Sequence, residues 1–204
     1  MHEAVLGVLC SGRGTNLQSI IAAIESGQIP GKIGLVLTDK PEAKALERAE
    51  KAGIPHACVD RRGCASKQEF EEQLAARLKE AGVTLVILAG FMRILSPYFV
   101  QEFKGRIMNI HPSLLPSFGG AHAHRDVLAY GVKVSGCTIH FVDEGMDSGP
   151  IILQDTVPVL DDDTEDTLAA RVLEKEHILY PRAIELYLNG RLQIDGRHVK
   201  IKNC

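Results

Sequence analysis

Apolar positions along this chain follow two rhythms. Short unbroken runs, Ala4-Val-Leu-Gly-Val-Leu-Cys10, Ile33-Gly-Leu-Val-Leu-Thr38 and Val83-Thr-Leu-Val-Ile-Leu88, alternate with stretches where apolar residues recur every three or four positions. Runs of that length fit parallel strands covered on both sides, and the wider spacing fits amphipathic helices. Leu17, Ile20, Ile21 and Ile24 mark the first helix. Phe70, Leu74 and Leu78 mark another, opened by the capping box Ser66-Lys-Gln-Glu69, with Glu71, Glu72, Arg77, Lys79 and Glu80 expected on its solvated face. Between them, Pro41 to Ala52 reads as a short helix that begins with proline and stops at Gly53, and His56 to Val59 as a brief strand.

The second half continues the alternation. An apolar run after Arg106 predicts a strand end at Asn109-Ile-His111, because Pro112 and Pro116 cannot extend a ladder. Val127, Leu128 and Tyr130 lie in an amphipathic stretch, and Val132 to Val142 and Ile151 to Val159 read as strands. Asp163 and Asp166 have capping-box spacing ahead of a long helix carrying Leu168 and Val172. Glu176 falls next on that row, a charge where the stripe predicts an apolar residue, and Pro181 is expected to kink or end the helix. Leu192-Gln-Ile and Val199-Lys-Ile, around Asp195-Gly196-Arg197, predict a terminal hairpin. The whole pattern predicts one α/β domain over residues 1–204, a mainly parallel twisted sheet with helices on both faces.

Composition narrows the function classes. A net charge of -3, no tryptophan and no Lys/Arg stripe argue against a nucleic-acid binder and leave small anionic ligands open. No apolar run reaches membrane-spanning length, and Met1-His-Glu passes straight into a strand-like run without the features of a secretory signal, so a cytoplasmic location is expected. The five cysteines include no C-x-x-C pair, and Cys10 and Cys137 sit within strand-like runs, so reduced structural thiols are expected.

Two loops concentrate polar chemistry. Asn109 and His111, two apart at a strand end, leave on one face and are placed to donate to an oxygen that becomes negative. Val142-Asp-Glu-Gly-Met-Asp147-Ser-Gly-Pro150 is rich in turn residues and carboxylates; folded beside the first loop, it gives His111 an acid partner. Near the N-terminus, Ser11-Gly12-Arg13-Gly14 links a strand to a helix, which aims free backbone N–H groups and a helix dipole at the loop, with Thr15 and Asn16 as further donors. That suits a phosphate, although for a glycine turn taken alone a tight structural turn is the first reading. Read as a dinucleotide fingerprint the loop is incomplete: Asp39 comes roughly on schedule, but Leu17 stands where a third glycine belongs. His122-x-His124 lacks partners at familiar metal spacing, and no metal is expected.

Taken together and in order, Ser11-Gly-Arg-Gly14-Thr-Asn16, Asn109-Ile-His111-Pro-Ser-Leu-Leu-Pro116, Val142-Asp-Glu-Gly-Met-Asp147-Ser-Gly-Pro-Ile and Glu176-His177 resemble the folate-dependent formyltransferase family over essentially the whole chain. The resemblance implies a Rossmann-like domain whose N-terminal part binds a nucleotide phosphate and whose C-terminal part carries folate-binding loops. It implies transfer of a formyl group from 10-formyltetrahydrofolate to the amine of glycinamide ribonucleotide, without a covalent enzyme intermediate. Asn109, His111 and Asp147 are then the catalytic residues: Asn109 and protonated His111 stabilise the oxyanion, while Asp147 favours the charged imidazole, steadies it and, through a bound water, moves protons. Gly14, Thr15, Asn16 and Glu176 are implied for the nucleotide, and Met92, Arg93, Ile94, Leu95, Asp143, Glu144, Gly145 and Met146 for the folate. Ile94's side chain is expected in local core packing. Family members commonly carry lysine or proline where this chain has Gly119.

Other readings use the same residues. A formyltetrahydrofolate hydrolase has the same core with water as acceptor, but the chain has no room for that relative's N-terminal regulatory domain. A methionyl-tRNA formyltransferase carries a C-terminal tRNA-binding domain, whereas this chain ends soon after its long helix. A nicotinamide-dependent oxidoreductase, using Gly12 and Gly14, and a non-catalytic nucleotide-binding module come from other classes.

Overall fold

The computed structural model describes residues 4–202. The chain divides between Met108 and Asn109 into two compact units.

In the first unit the apolar runs form β1 (Val5–Cys10), β2 (Lys32–Thr38), β3 (His56–Cys58) and β4 (Leu85–Leu88), ordered β3-β2-β1-β4 and parallel throughout. Val8 stands between Val36 and Ile87, all three fully buried. The crossovers carry α1 (Thr15–Glu25), α2 (Lys44–Lys51) and α3 (Lys67–Glu80), and α4 (Pro97–Glu102) follows β4. Phe70, Leu74 and Leu78 form the buried row of α3, each contributing about 1.5–3 kcal/mol of transfer free energy. Gly7 lets that helix close on the sheet, since a Cβ there would stand 2.5 Å from Leu78 Cδ2.

Three local expectations change. The α2 helix starts at Lys44, because Pro41 occupies a turn closed by Ala43 N–H on the Lys40 carbonyl at 3.2 Å. The Ser66 side chain caps Glu69 N at 3.0 Å, but the Glu69 carboxylate reaches Ala65 N at 2.6 Å, one residue before the predicted partner. Glu71, expected in water, is 1% exposed and accepts from Ser96 N at 2.9 Å and from the Ser96 hydroxyl. A helical wheel cannot see that acceptor site, because its donors come from a loop 25 residues away.

The strand β5 (Ile107–His111) carries the chain across the division. The second unit contains α5 (Ala123–Tyr130), β6 (Val134–Phe141), β7 (Ile151–Pro158), α6 (Glu165–Leu188), β8 (Leu192–Asp195) and β9 (His198–Ile201). Its strand order is β5-β6-β7-β9-β8, with β6/β7 and β8/β9 antiparallel and β7/β9 parallel. The fold is α/β as its alternation predicts, with antiparallel pairs confined to this half. A core of Val127, Cys137, Val157, Leu168 and Val172 joins α5, β6, β7 and α6, and Phe118 packs against it from the loop after β5.

The α6 cap is Thr164 with Thr167 rather than Asp163 with Asp166. Asp163 instead makes a two-pronged contact with Arg171, 2.8 Å on each side, and accepts from the Thr167 hydroxyl at 2.8 Å. Pro181 neither ends nor breaks the 24-residue helix. Tyr180, Pro181, Ala183 and Ile184 are all buried, so packing offsets the hydrogen bond that proline cannot make.

Candidate active site

Within the second unit, β5 and β6 bring Asn109, His111 and His140 together, and the loop after β6 adds Asp147. Asn109 Nδ2 is 3.2 Å from His140 Nε2, while His140 Nδ1 is 2.8 Å from the Phe141 carbonyl. A carbonyl only accepts, so Nδ1 carries the proton and Nε2 offers its lone pair to the Asn109 amide. Burial above all pushes the His140 pKa below 6.5, outweighing the Phe141 carbonyl and Asp147, which pull it up. A neutral His140 can hold Asn109 by one amide hydrogen and leave the other for a ligand. Sequence reasoning missed His140; the signal was a histidine inside the buried run Cys-Thr-Ile-His-Phe-Val.

His111 is 5% exposed, with Nδ1 3.4 Å from Asp147 Oδ2 and Nε2 2.9 Å from the Phe118 carbonyl. Both ring nitrogens therefore face oxygens. Asp147 is held in turn: its Oδ2 accepts from Gly120 N at 2.8 Å, its Oδ1 lies 4.0 Å from His140 Nε2, and its φ of 52° is a left-handed conformation tolerated by aspartate and asparagine. The acid partner expected for His111 is thus present.

The loop after β5 is tied down by buried hydroxyls. Thr138 Oγ1 donates to the Ser113 carbonyl at 2.7 Å and accepts from Leu115 N at 3.0 Å and from Gln154 Nε2 at 2.9 Å. Ser113 Oγ donates to the carbonyls of Ser117 and Phe118 at 2.7 and 3.1 Å, so the same Phe118 oxygen serves Ser113 and His111.

The remaining candidates in this unit are placed as follows. Asp143 Oδ1 accepts from Gly145 N at 3.1 Å and Ser148 Oγ at 2.6 Å, closing its loop on itself, while Glu144, Gly145 and Met146 are exposed. Glu176 is buried on the α6 face with Leu168 and Val172. Its charge adds to the burial that pushes the neighbouring Cys137 thiol up to about 12. His122 is exposed and His124 half-buried. Among the described residues no group of three or more His, Cys, Asp or Glu side chains is placed to hold a metal.

In the first unit Gly14 caps α1 with φ 68°, and a Cβ on it would stand 2.9 Å from Ala45 Cα. The loop before it is held by Ala45 N–H on the Gly12 carbonyl at 3.1 Å and by Arg48 Nε on the Arg13 carbonyl at 2.8 Å. Thr15 is half-buried and Asn16 buried in the first turn of α1. Asp39, the acid of the dinucleotide reading, is turned inward onto Arg93 with its side chain 1% exposed, so no carboxylate is presented to a ribose. In the loop after β4, Leu95 is buried, but Ile94 is 62% exposed and not in the core as expected. Ile94 and Met92 alternate outward while Arg93 and Leu95 point in.

Among the described residues no helix is long and apolar enough to cross a membrane. The formyl transferase family matches residues 5–184. The phosphoribosylglycinamide formyltransferase of Escherichia coli (strain K12) is 43% identical over 187 residues, 92% of this chain and 88% of that protein. The trifunctional purine biosynthetic protein adenosine-3 of Drosophila melanogaster is 48% identical over 187 residues, 91% of this chain, which spans only 14% of that longer protein. The crystal structure of glycinamide ribonucleotide transformylase 1 from Symbiobacterium toebii superposes with a TM-score of 0.97 at 49% identity, covering 99% of this chain and 95% of that one. With nine-tenths of its length matched and its polar loops gathered around Asn109 and His111, the chain belongs to the formyl transferase family.

Proposed function

We propose that this chain transfers the formyl group of 10-formyltetrahydrofolate to the amine of glycinamide ribonucleotide, giving N-formylglycinamide ribonucleotide and tetrahydrofolate in purine biosynthesis. The observation that carries the reading is the cluster of Asn109, His111, His140 and Asp147, which combines two donors with a carboxylate in one largely buried site. The names of the bacterial relatives support the acceptor.

In the proposed step the substrate amine attacks the formyl carbon, a new N–C bond forms, and the formyl oxygen gains negative charge. Asn109 donates its second amide hydrogen to that oxygen. His111 donates through Nε2, for which the oxyanion replaces the Phe118 carbonyl as acceptor. The folate C–N bond then breaks; the amine loses one proton and the folate nitrogen gains one, with Asp147 relaying the proton through water. Backbone N–H groups at Gly14, Thr15 and Asn16 hold the nucleotide phosphate, Glu176 binds the amine-bearing substrate, and the loops at Met92–Leu95 and Asp143–Met146 hold the folate.

The test is to follow folate absorbance with 10-formyltetrahydrofolate, with and without glycinamide ribonucleotide, and to look for the formylated nucleotide by mass spectrometry. Formyl loss only with the nucleotide, with product of the right mass, is the expected result. Loss without the nucleotide would instead mean a hydrolase, and no loss in either mixture would refute the reading.

A further inference from the structure

The loop after β4, Gly90 to Ser96, is held by more buried polar groups than its length requires. At its start, Ser11 N donates to the Gly90 carbonyl at 3.0 Å and Met92 N donates to Ser11 Oγ at 2.8 Å. In its middle, the Arg93 guanidinium pairs with Asp39 at the end of β2 and lies 5.5 Å over the Phe70 ring. At its end, Ser96 gives both its N–H and its hydroxyl to Glu71 of α3, while the same Ser96 hydroxyl also caps α4.

Asp39 and Glu71 are each about 1% exposed at the side chain, and a carboxylate is removed from water at a large cost unless it is paired and hydrogen-bonded. Two such groups, from two different elements, both reach one short surface loop, Glu71 lying also 3.8 Å from Lys67 Nζ on its own helix. That loop nonetheless turns Met92 (72% exposed) and Ile94 (62% exposed) to solvent. Core stability gains nothing from displaying two large apolar side chains, so the rigid backbone beneath them is explained by what it presents. A pinned backbone with two outward apolar side chains suits a flat heteroaromatic ring with polar edges.

We propose that Asp39 and Glu71 are positioning residues for the folate site: they hold the Met92–Leu95 backbone in its binding form before the ligand arrives. Neither carboxylate touches the folate. The proposal rests on the formyl-folate reading above and adds to it two residues outside every expected binding segment. Asp39 takes a part unlike the one its place at the end of β2 would have in a dinucleotide fold, where the acid faces a ribose.

The experiment compares the wild-type protein with Asp39→Asn and Glu71→Gln, isosteric changes that remove charge and keep shape. Steady-state rates are measured with 10-formyltetrahydrofolate and glycinamide ribonucleotide varied independently, and hydrogen exchange follows the Met92 amide. The expected result is a KM for the folate raised about tenfold, with the nucleotide KM and kcat within about twofold and faster exchange at Met92. Faster exchange with an unchanged folate KM would overturn the proposal, as would equal losses in both KM values. Should Asp39→Asn fail to fold, Glu71→Gln alone, which leaves every residue of the Met92–Leu95 segment in place, is judged by the same readouts. Tetrahydrofolate binding by the wild-type protein, measured by fluorescence, separates the two ideas. Absent binding there refutes the functional reading itself, whereas binding that is intact in the wild type and in both variants refutes only the positioning role.

Discussion

Asp147→Asn isolates the charge of the carboxylate to which the proposed mechanism gives the proton relay. Asparagine keeps the side-chain oxygen that accepts from Gly120 N at 2.8 Å, and it tolerates the left-handed φ of 52° as well as aspartate does. Fold and loop geometry are therefore preserved, and what disappears is a negative charge 3.4 Å from His111 Nδ1. The proposed mechanism uses a charged His111, and at an effective dielectric of about 20 a charge pair at that distance is worth about 4–5 kcal/mol. Part of this acts equally on ground and transition states, and the proton relay is lost as well. We expect kcat to fall by about 10²- to 10³-fold, at about 1.4 kcal/mol per decade, with both KM values little changed. The assay is initial rate by folate absorbance with each substrate varied, alongside the thermal midpoint of the variant. A kcat within tenfold of wild type in a protein of normal stability would refute the role given to Asp147, and a loss carried by KM alone would move it from catalysis to binding.

Other consequences follow from the same geometry. Asn109→Ala removes the proposed oxyanion donor and should lower kcat by about 10²-fold or more without a matching rise in KM, measured in the same assay. His140 has its pKa lowered chiefly by burial, so the unfolded chain binds its proton at a higher pH than the folded protein does. Its contribution makes stability full above about pH 6.5 and diminishing as pH falls from there toward the folded value; thermal melts across that window should show a shallower pH slope in His140→Gln. Gly14→Ala places a Cβ 2.9 Å from Ala45 at a φ of 68° and should cost about 1–3 kcal/mol in urea denaturation.

Several elements were legible because the interactions that form them are local. Residues three or four apart meet on a helix, so Leu17, Ile20 and Ile21 or Phe70, Leu74 and Leu78 disclose a buried face without knowledge of its partner. The strand end at His111 was legible for a similar reason, since Pro112 lacks the N–H that a further rung would need. The short α4 helix was not foreseen, although Ser96-Pro97 is a helix-start signal; six residues supply too few turns to show a period.

The sequence by itself determined the order of strands and helices apart from α4, the side-chain pair Asn109 and His111 on one strand end, and the glycine turn ahead of α1. These depend on backbone sterics and on spacing along the chain, which travel with the residues. Only the tertiary structure decided who partners whom: that His140 holds Asn109, that the Phe118 carbonyl meets His111, and that Asp39 and Glu71 turn inward to Arg93 and Ser96. Those partners lie 31, 7, 54 and 25 residues apart. A buried polar group must find a donor or acceptor wherever the fold brings one, and that demand leaves no periodic mark in the sequence.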